Sequence, residues 1–281
     1  MKRERAMAGR RAGVAAVVAL ALGLSMAACS ATAPPSLVGK QTLRIGVKAD
    51  QPGLGLRQPN GTFAGFDVDV ARYVAGRLGV RPDHITFVPV TSATRETALE
   101  TGSVDLVFAT YSITPERATK VTFGGPYYVA HQDTMVRAGD TAIHSVRDLG
   151  GERLCAVAGS NSWKRVTEEL GIQAVLVSAP SYSACVTMLV DRKADAVSTD
   201  DLILAGFAVS EGPAVRIVNE PFSYERYGIG IKKGDLSGCE AVNRAVSQMY
   251  LDGTAAALLR KWFGRTGLQL DTHVPQFEGC E

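Results

Sequence analysis

Short apolar runs alternate with segments of helical periodicity along most of the 281-residue chain. Leu43–Val47 and residues 85–90 are apolar stretches of strand length, and residues 104–109 form a third. Between the first two, apolar residues from position 67 onward recur at the spacing of one helix face, and Gly79 supplies a stop signal. This alternation predicts an α/β layer with a largely parallel sheet.

A second unit with the same pattern begins near Asp133. Three further strands, each followed by a polar turn and a helix, are predicted at residues 153–158, 174–177 and 194–198. Residues 227–232 are then predicted to form a strand that returns towards the first unit. Two closing helices are predicted at residues 239–250 and 254–263. The chain therefore contains two α/β units.

Composition and charge are those of a soluble globular protein. Apolar residues make up 46% of the chain and charged residues 21%, enough for one or two domains with a full core. The formal net charge is +2, but residues 1–11 hold five basic residues and one acidic residue, so the remainder carries −2. This balance gives no indication of nucleic-acid binding.

The N-terminus has the features of an export signal. Residues 1–28 combine a basic start, an apolar run over residues 12–24 and small residues, and the run is shorter than the ~20 residues that span a bilayer. Residues 25–29 look like a lipobox, in which Cys29 becomes the acylated N-terminus, and residues 29–40 would then be a flexible tether. The alternative is cleavage without lipid. We expect a protein held outside the bacterial cell membrane, which it contacts only through this anchor.

Four cysteines remain after Cys29: Cys155, Cys185, Cys239 and Cys280. An even count in an exported protein predicts two disulfides, with three possible pairings, over the alternative of free buried thiols. No Cys-x-x-Cys or His-rich spacing suggests a metal, and no cofactor is predicted.

The strongest chemical signal follows the strand at residues 104–109. Thr110 and Ser112 supply hydroxyls and backbone N–H groups, and Arg117 follows five residues after Ser112. A guanidinium with such neighbours can bind a carboxylate through two parallel hydrogen bonds. The alternative is a surface arginine on a helix that Thr114 caps and Pro115 begins.

Residues 109–117 and 123–128 closely resemble the A-x-x-S-I-T-x-E-R and F-x-x-P-Y-Y motifs of the polar-amino-acid binding proteins of bacterial ABC importers. The resemblance extends over residues 43–263 and is strongest to the glutamate/aspartate-binding members. It implies a two-lobed periplasmic-binding-protein fold (type II). Each lobe is a mixed, mostly parallel sheet flanked by helices, and two hinge crossings near residues 129–135 and 224–230 join the lobes.

The implied boundaries are residues 41–131 and 229–281 for the first lobe and residues 132–228 for the second. In that architecture, Cys155–Cys185 and Cys239–Cys280 each fall within one lobe. The other pairings would join the lobes and block the hinge, so we expect these two disulfides.

The resemblance also implies the roles of individual residues. Arg117, with Thr110 and Ser112, suits the α-carboxylate of an amino acid. The turn formed by Ser160, Asn161 and Ser162 suits the same group from the other lobe, through N–H groups at a helix start. Asp200 matches the family's ammonium-binding aspartate, and the alternative is that it caps the next helix. For Asp201 we expect helix capping or exposure to solvent.

Side-chain specificity is expected from two further cations. Lys48 ends the first strand and Arg95 follows the second, and glutamate/aspartate-binding members resemble this chain at both places, with a basic residue facing the ligand's distal carboxylate. The alternative is that both are solvated surface cations.

The resemblance therefore predicts a monomeric binding protein that captures free L-glutamate, less readily L-aspartate, and delivers it to an ABC transporter permease. One alternative is a sensor that signals to a membrane partner. The other is a dehydratase on the same scaffold, but none of the four histidines lies in the motif stretches, and no hydrolase, zinc or phosphate-loop motif is present.

Overall fold

The computed structural model describes residues 36–280. The predicted signal peptide, Cys29 and the first part of the predicted tether lie outside the described residues. None of the helices within residues 36–280 is long and apolar enough to cross a membrane.

Most strands of the described chain are short. In chain order, β1 to β13 are Leu43–Val47, Asp50–Gln51, Gly55–Arg57, Phe63–Ala64, Ile85–Pro89, Leu106–Phe108, Val121–Ala130, Gln132–Arg137, Arg153–Val157, Val175–Ala179, Val197–Asp200, Val215–Ile217 and Glu225–Lys232.

The helices occupy the positions between them. In chain order, α1 to α8 are Phe66–Arg77, Arg95–Glu100, Pro115–Ala118, Ser162–Lys164, Tyr182–Val190, Asp201–Glu211, Leu236–Leu251 and Thr254–Phe263. Helix α4 continues as a π-helical turn over Arg165–Glu169, and short 3₁₀ segments lie at Pro82–His84, Val146–Leu149 and Gly212–Ala214.

A five-stranded sheet in the order β5-β1-β6-β13-β7 is the centre of the first lobe. Strand β1 is parallel to β5 and β6, whereas β13 is antiparallel to β6 and β7. A small antiparallel sheet of β2, β3 and β4 lies between β1 and α1 in the chain. The carboxyl ends of the parallel strands share one sheet edge, so Lys48, after β1, and Ala109, after β6, are neighbours there.

The second lobe contains two smaller sheets. Strands β9 and β10 pair in parallel, and β8 pairs antiparallel with β11 and β12. A parallel bridge between Leu154 and Ala196 connects β9 to the segment that leads into β11. The chain passes from the five-stranded sheet to the second lobe at His131, between β7 and β8. It returns between β12 and β13. The predicted mixed α/β architecture with two crossings is confirmed.

Apolar packing holds the layers together. Helix α1 packs on α7 and α8, and its first residue, Phe66, contacts the rings of Tyr127, Tyr128 and Phe263 at centroid distances of 6.0 to 6.5 Å. Each of these aromatic side chains is at most 2% exposed. Such aromatic contacts add to the stabilisation from area burial, and they fix α1 beside the strand that leads into the first crossing.

Both predicted disulfides are present. Cys155 on β9 is bonded to Cys185 on α5, with Cα atoms 5.6 Å apart, and Cys239 on α7 is bonded to Cys280 in the C-terminal tail, with Cα atoms 5.9 Å apart. Each bond connects elements of the same lobe and leaves the crossings unlinked.

The structure contains strands that the sequence pattern does not predict, among them β2, β3, β4, β8 and β12, and two further differences bear on the site. It contains the ten-residue strand β7, which the pattern does not predict because Gly124, Gly125 and Pro126 are turn-forming residues. Pairing with β13 carries the strand through them, with a register shift between Tyr227 and Ile229. The strand predicted at residues 194–198 lies later, at Val197–Asp200, which places Asp200 at a strand end.

Candidate functional site

Arg117 lies on a one-turn helix that the local sequence predicts. Thr114 is the N-cap, its Oγ1 accepts a hydrogen bond from the backbone N–H of Arg117 at 3.2 Å, and Pro115 occupies the first helical position. The capping interpretation is therefore correct, but the surface interpretation is wrong because Arg117 is only 7% exposed.

The guanidinium of Arg117 bridges the two lobes. Its Nη1 donates to the carbonyl oxygen of Ser112 at 2.8 Å, within the first lobe. Its Nη2 donates to the carbonyl oxygen of Gly159 at 3.1 Å, in the second lobe. Each terminal nitrogen carries a second hydrogen, so the group keeps donors for a further oxygen acceptor.

Arg95 is buried beside Arg117. It begins α2, is 2% exposed, and donates from Nη1 to the carbonyl oxygen of Ala109 at 3.0 Å. Its guanidinium carbon lies 3.9 Å from the ring centroid of Tyr111, and that of Arg117 lies 5.4 Å from the same centroid. Burial, together with the positive charge of Arg117, lowers the pKa of Arg95 to about 10.

Lys48 is the third buried cation. It is 4% exposed, and its Nζ donates to Ser92 Oγ at 2.7 Å. The pKa of Lys48 is lowered to about 7. Burial is the largest cause, and the positive charge of Arg95 contributes more than that of Arg117. Lys48 and Arg95 are therefore not solvated surface cations.

Thr110 and Ser112 follow β6 at the same edge. Thr110 is held at a φ of +44°, a left-handed conformation that β-branched residues rarely adopt. Its backbone N–H donates to Asp67 Oδ2 at 2.9 Å, and Tyr127 donates its hydroxyl to Asp67 Oδ1 at 2.7 Å. Ser112 contributes its carbonyl oxygen to Arg117 and is 3% exposed. Asp67 thus fixes the turn that the motif begins.

The second lobe presents a cluster of hydroxyls. The Tyr182 hydroxyl lies 2.6 Å from Ser160 Oγ and donates to Ser162 Oγ at 2.9 Å. The backbone N–H of Ser162, expected to face a carboxylate, donates to Ser160 Oγ at 3.1 Å. Asn161 directs its Nδ2 to Glu225 at 3.3 Å. In the second lobe, the polar groups beside Asp200 are therefore mainly side-chain hydroxyls, and the backbone N–H of Ser162 is already hydrogen-bonded within the lobe.

Asp200 ends β11 and is 4% exposed. It precedes α6 but makes no side-chain capping hydrogen bond there, and its Oδ2 accepts from the Tyr227 hydroxyl at 2.7 Å. Burial, with the charge of Glu225, raises the pKa of Asp200 well above its ordinary value. Asp201 instead bonds locally, accepting from the N–H of Leu202 and lying 3.4 Å from His131 Nδ1.

Open space adjoins this cluster on one side. A cavity of about 550 Å³ between the lobes is lined by Arg117 and Glu96 from the first lobe and by Gly159, Asn161 and Trp163 from the second. Among the described residues, no group of three or more His, Cys, Asp or Glu side chains is arranged to hold a metal ion.

The structure adds site residues that the sequence analysis did not name. These are Asp67, Glu96, Tyr111, Tyr182 and Tyr227. Tyr111 lies inside the recognised motif and Glu96 follows Arg95, so both were within reach of the sequence. Tyr182 begins α5 and Tyr227 lies within β13, and the apolar neighbours of both residues make these elements look purely structural.

Three buried cations, the buried carboxylates of Asp67 and Asp200 and a set of hydroxyls therefore meet where two α/β lobes face each other. Two lobes around such a cleft are the architecture of proteins that close on a small solute. The chain belongs to the family of bacterial extracellular solute-binding proteins, family 3, whose model matches residues 43–265. The family consists of binding proteins, so the prediction of a solute-binding protein and not an enzyme is confirmed.

Two amino-acid-binding proteins are similar to the chain over most of its length. The chain is 40% identical to the glutamate-binding protein GluB of Corynebacterium glutamicum over 245 residues, 83% of this chain and 82% of that protein. It is 34% identical to the ABC transporter glutamine-binding protein GlnH of Bacillus subtilis over 220 residues, 78% of this chain and 80% of that protein.

A solved structure shares the fold. An ancestral arginine-binding protein bound to arginine superposes with a TM-score of 0.72 and 34% sequence identity, covering 80% of this chain and 99% of that one.

Proposed function

We propose that this protein captures an acidic amino acid, L-glutamate and less readily L-aspartate, and delivers it to the permease of an ABC importer. The observation that carries the proposal is the burial of Lys48, Arg95 and Arg117 on the first-lobe side of the cleft. Buried cations are stable only when anions compensate them. A ligand with two carboxylates supplies such anions, and the similarity to GluB supports the same ligand.

The two ends of the ligand have distinct partners in this proposal. Arg117, with Thr110 and Ser112, binds the α-carboxylate from the first lobe. Ser160, Asn161 and Ser162 surround the same group from the second lobe. Asp200 binds the α-ammonium, whose positive charge stabilises the ionised form of this buried carboxylate and so opposes the upward shift of its pKa.

Lys48 and Arg95 bind the distal carboxylate. A neutral glutamine amide would offer these two cations no negative charge, and an unsatisfied buried polar group costs about 1–3 kcal/mol. The site therefore selects acidic over amide side chains through the penalty on the wrong ligand.

Binding and closure are coupled in this proposal. The first lobe, taken as residues 41–131 and 229–281, holds Arg117, and the second lobe, taken as residues 132–228, holds Asp200. A ligand that contacts both lobes stabilises the closed arrangement and shifts the population towards it.

Calorimetric titration of the purified protein with each of the twenty amino acids tests the specificity. We expect glutamate to bind with a dissociation constant of about 1 μM or below, aspartate more weakly, and glutamine and arginine at least about tenfold more weakly. Heat with glutamine or arginine and none with glutamate contradicts the proposed ligand.

The cellular location is proposed separately. The family name supports an extracytoplasmic site of action, and we propose that lipid on Cys29 anchors the protein, as a monomer, to the outer face of the cell membrane. Cys29→Ser is expected to move the protein from the membrane fraction to the soluble extracytoplasmic fraction. Equal membrane association of the variant and the wild type contradicts the anchor.

A further inference from the structure

We propose that Glu96 is a specificity-determining residue of this cleft. It is the internal counter-ion that Arg95 and Arg117 share, and it sets how much positive charge the ligand meets. The inference rests on the proposed function, because it assigns Glu96 a role in how the same two arginines discriminate ligands by charge.

One carboxylate oxygen of Glu96 lies close to both arginines and to Tyr111. Glu96 Oε1 lies 3.8 Å from Arg95 Nε and 3.7 Å from Arg117 Nε, and it accepts a hydrogen bond from the Tyr111 hydroxyl at 2.8 Å. Both guanidinium groups also lie over the Tyr111 ring. Tyr111 and Glu96 together therefore hold two like charges side by side.

The other polar contacts of these arginines are neutral. Arg95 donates to the carbonyl oxygen of Ala109, and Arg117 donates to those of Ser112 and Gly159. These carbonyls orient the guanidinium groups but do not cancel their charge. In the described part of the chain, Glu96 is the acidic side chain that forms an ion pair with both Arg95 and Arg117.

The position of Glu96 suits a charge-setting role. It is the second residue of α2, directly after Arg95, and its side chain is 16% exposed at the edge of the cavity between the lobes. It contacts the Nε side of both arginines, so the terminal Nη atoms remain turned towards other acceptors. Its charge nevertheless acts on any anion that approaches them, since Coulomb interactions in a partly buried site extend over several ångströms.

The direction of the effect follows from the signs. The carboxylate of Glu96 repels an anionic ligand and competes with it for the same two cations, whereas a neutral ligand meets little net repulsion. Removing the negative charge raises the positive potential of the cleft by one unit charge. It should therefore favour glutamate over glutamine more strongly than the wild type does.

The binding test uses Glu96→Gln, which keeps an oxygen for the Tyr111 hydroxyl and removes the charge. Glu100→Gln is the matched control, because Glu100 is exposed at the far end of the same helix. By calorimetry, we expect the ratio of the glutamine to the glutamate dissociation constant to rise by about fivefold or more in Glu96→Gln. It should stay within about twofold of the wild type in Glu100→Gln. An unchanged or lower ratio in Glu96→Gln overturns the proposal.

A second measurement needs no ligand. The Nε–H resonances of Arg95 and Arg117, assigned with Arg→Lys variants, are expected to shift in Glu96→Gln and not in Glu100→Gln in the ¹⁵N-labelled protein. Unshifted resonances of both arginines overturn the shared counter-ion. If wild-type protein fails to bind glutamate but the resonances shift, the proposed function fails and the counter-ion stands. In that case, the ratio of dissociation constants is measured in the wild type and in Glu96→Gln for two ligands. These are the ligand that calorimetry identifies and an analogue of it with one more negative charge.

Discussion

Arg117 donates a hydrogen bond from Nη2 to the carbonyl oxygen of Gly159, and this 3.1 Å bond joins the two lobes beside the cleft. Gly159 has a φ of +74°, and a Cβ at this position would lie 2.5 Å from the carbonyl oxygen of Ser92. Only glycine combines this backbone conformation with so close an approach. The arginine proposed to bind the ligand is therefore also a contact between the lobes.

Gly206 allows a second close approach. It lies inside α6, where a Cβ would overlap the carbonyl oxygen of Pro52 in the first lobe. We expect Gly206→Ala to hold the lobes apart and to weaken glutamate binding by about tenfold or more, because the closed population falls. Calorimetry measures the affinity, and small-angle X-ray scattering with glutamate should show a more open molecule.

Gly76→Ala is the matched control for that substitution. Gly76 lies near the end of α1, and a Cβ there meets no atom within 4 Å. We expect unchanged affinity and a free energy of unfolding higher by up to about 1 kcal/mol, from the better helix propensity of alanine. Equal affinities for Gly206→Ala and Gly76→Ala would refute the role of the close approach.

Lys48 should couple glutamate binding to proton uptake. In the ligand-free protein its pKa is lowered to about 7, chiefly by burial and then by Arg95, while Asp50 opposes this shift and Arg117 adds a lesser lowering effect. A bound distal carboxylate favours the charged amine and raises this pKa. Above pH 7, binding therefore takes up a proton, and the affinity that depends on Lys48 falls as pH rises through 7 to 9.

Calorimetry in buffers of different ionisation enthalpy counts that proton. We expect the wild type at pH 8 to take up more protons per glutamate than Lys48→Arg, since arginine stays charged throughout this range. The difference between the two proteins isolates Lys48 from Asp200, whose own titration both proteins share. The same proton count in both proteins would show that Lys48 does not titrate on binding.

Arg95 should separate acidic from amide ligands. Arg95→Met keeps a long side chain but leaves the distal carboxylate without one of its two cations. We expect the affinity for glutamate to fall by about tenfold or more relative to that for glutamine, from the loss of a charged hydrogen bond. Arg147→Met, at an exposed position of the second lobe, should leave both affinities unchanged. Equal losses for the two ligands in Arg95→Met would make Arg95 a structural residue.

The Cys239–Cys280 disulfide should stabilise the fold without setting specificity. It closes a loop with a sequence separation of 41 residues and ties the C-terminal tail to α7, away from the charged cleft. Replacing both cysteines with serine is expected to lower the free energy of unfolding by about 2–4 kcal/mol. It should reduce the midpoint of thermal unfolding and leave the ratio of glutamate to glutamine affinities unchanged. A changed ratio would connect the tail to the ligand.

The sequence predicts those parts of the site that depend on residues close together in the chain. Thr114 and Pro115 define the helix that holds Arg117, and the sequence predicts Asp200 two residues after a strand, whereas in the structure Asp200 is the last residue of β11. The strand β7 could not be predicted from the sequence, because its Gly-Gly-Pro segment favours a turn. The segment is extended only through pairing with β13, about one hundred residues later in the chain. Local propensity yields to such tertiary pairing.

The amino-acid sequence by itself determined the alternation of strands and helices, the motif around Arg117 and the even count of cysteines, since each depends on residues close together in the chain. Only the tertiary structure decided that Lys48 and Arg95 are buried with Arg117 and that Glu96 lies against both arginines. Burial and the distances between charges depend on how elements tens of residues apart pack together. Hydrophobic periodicity records which face of an element is apolar, but not which charged groups that packing brings into contact.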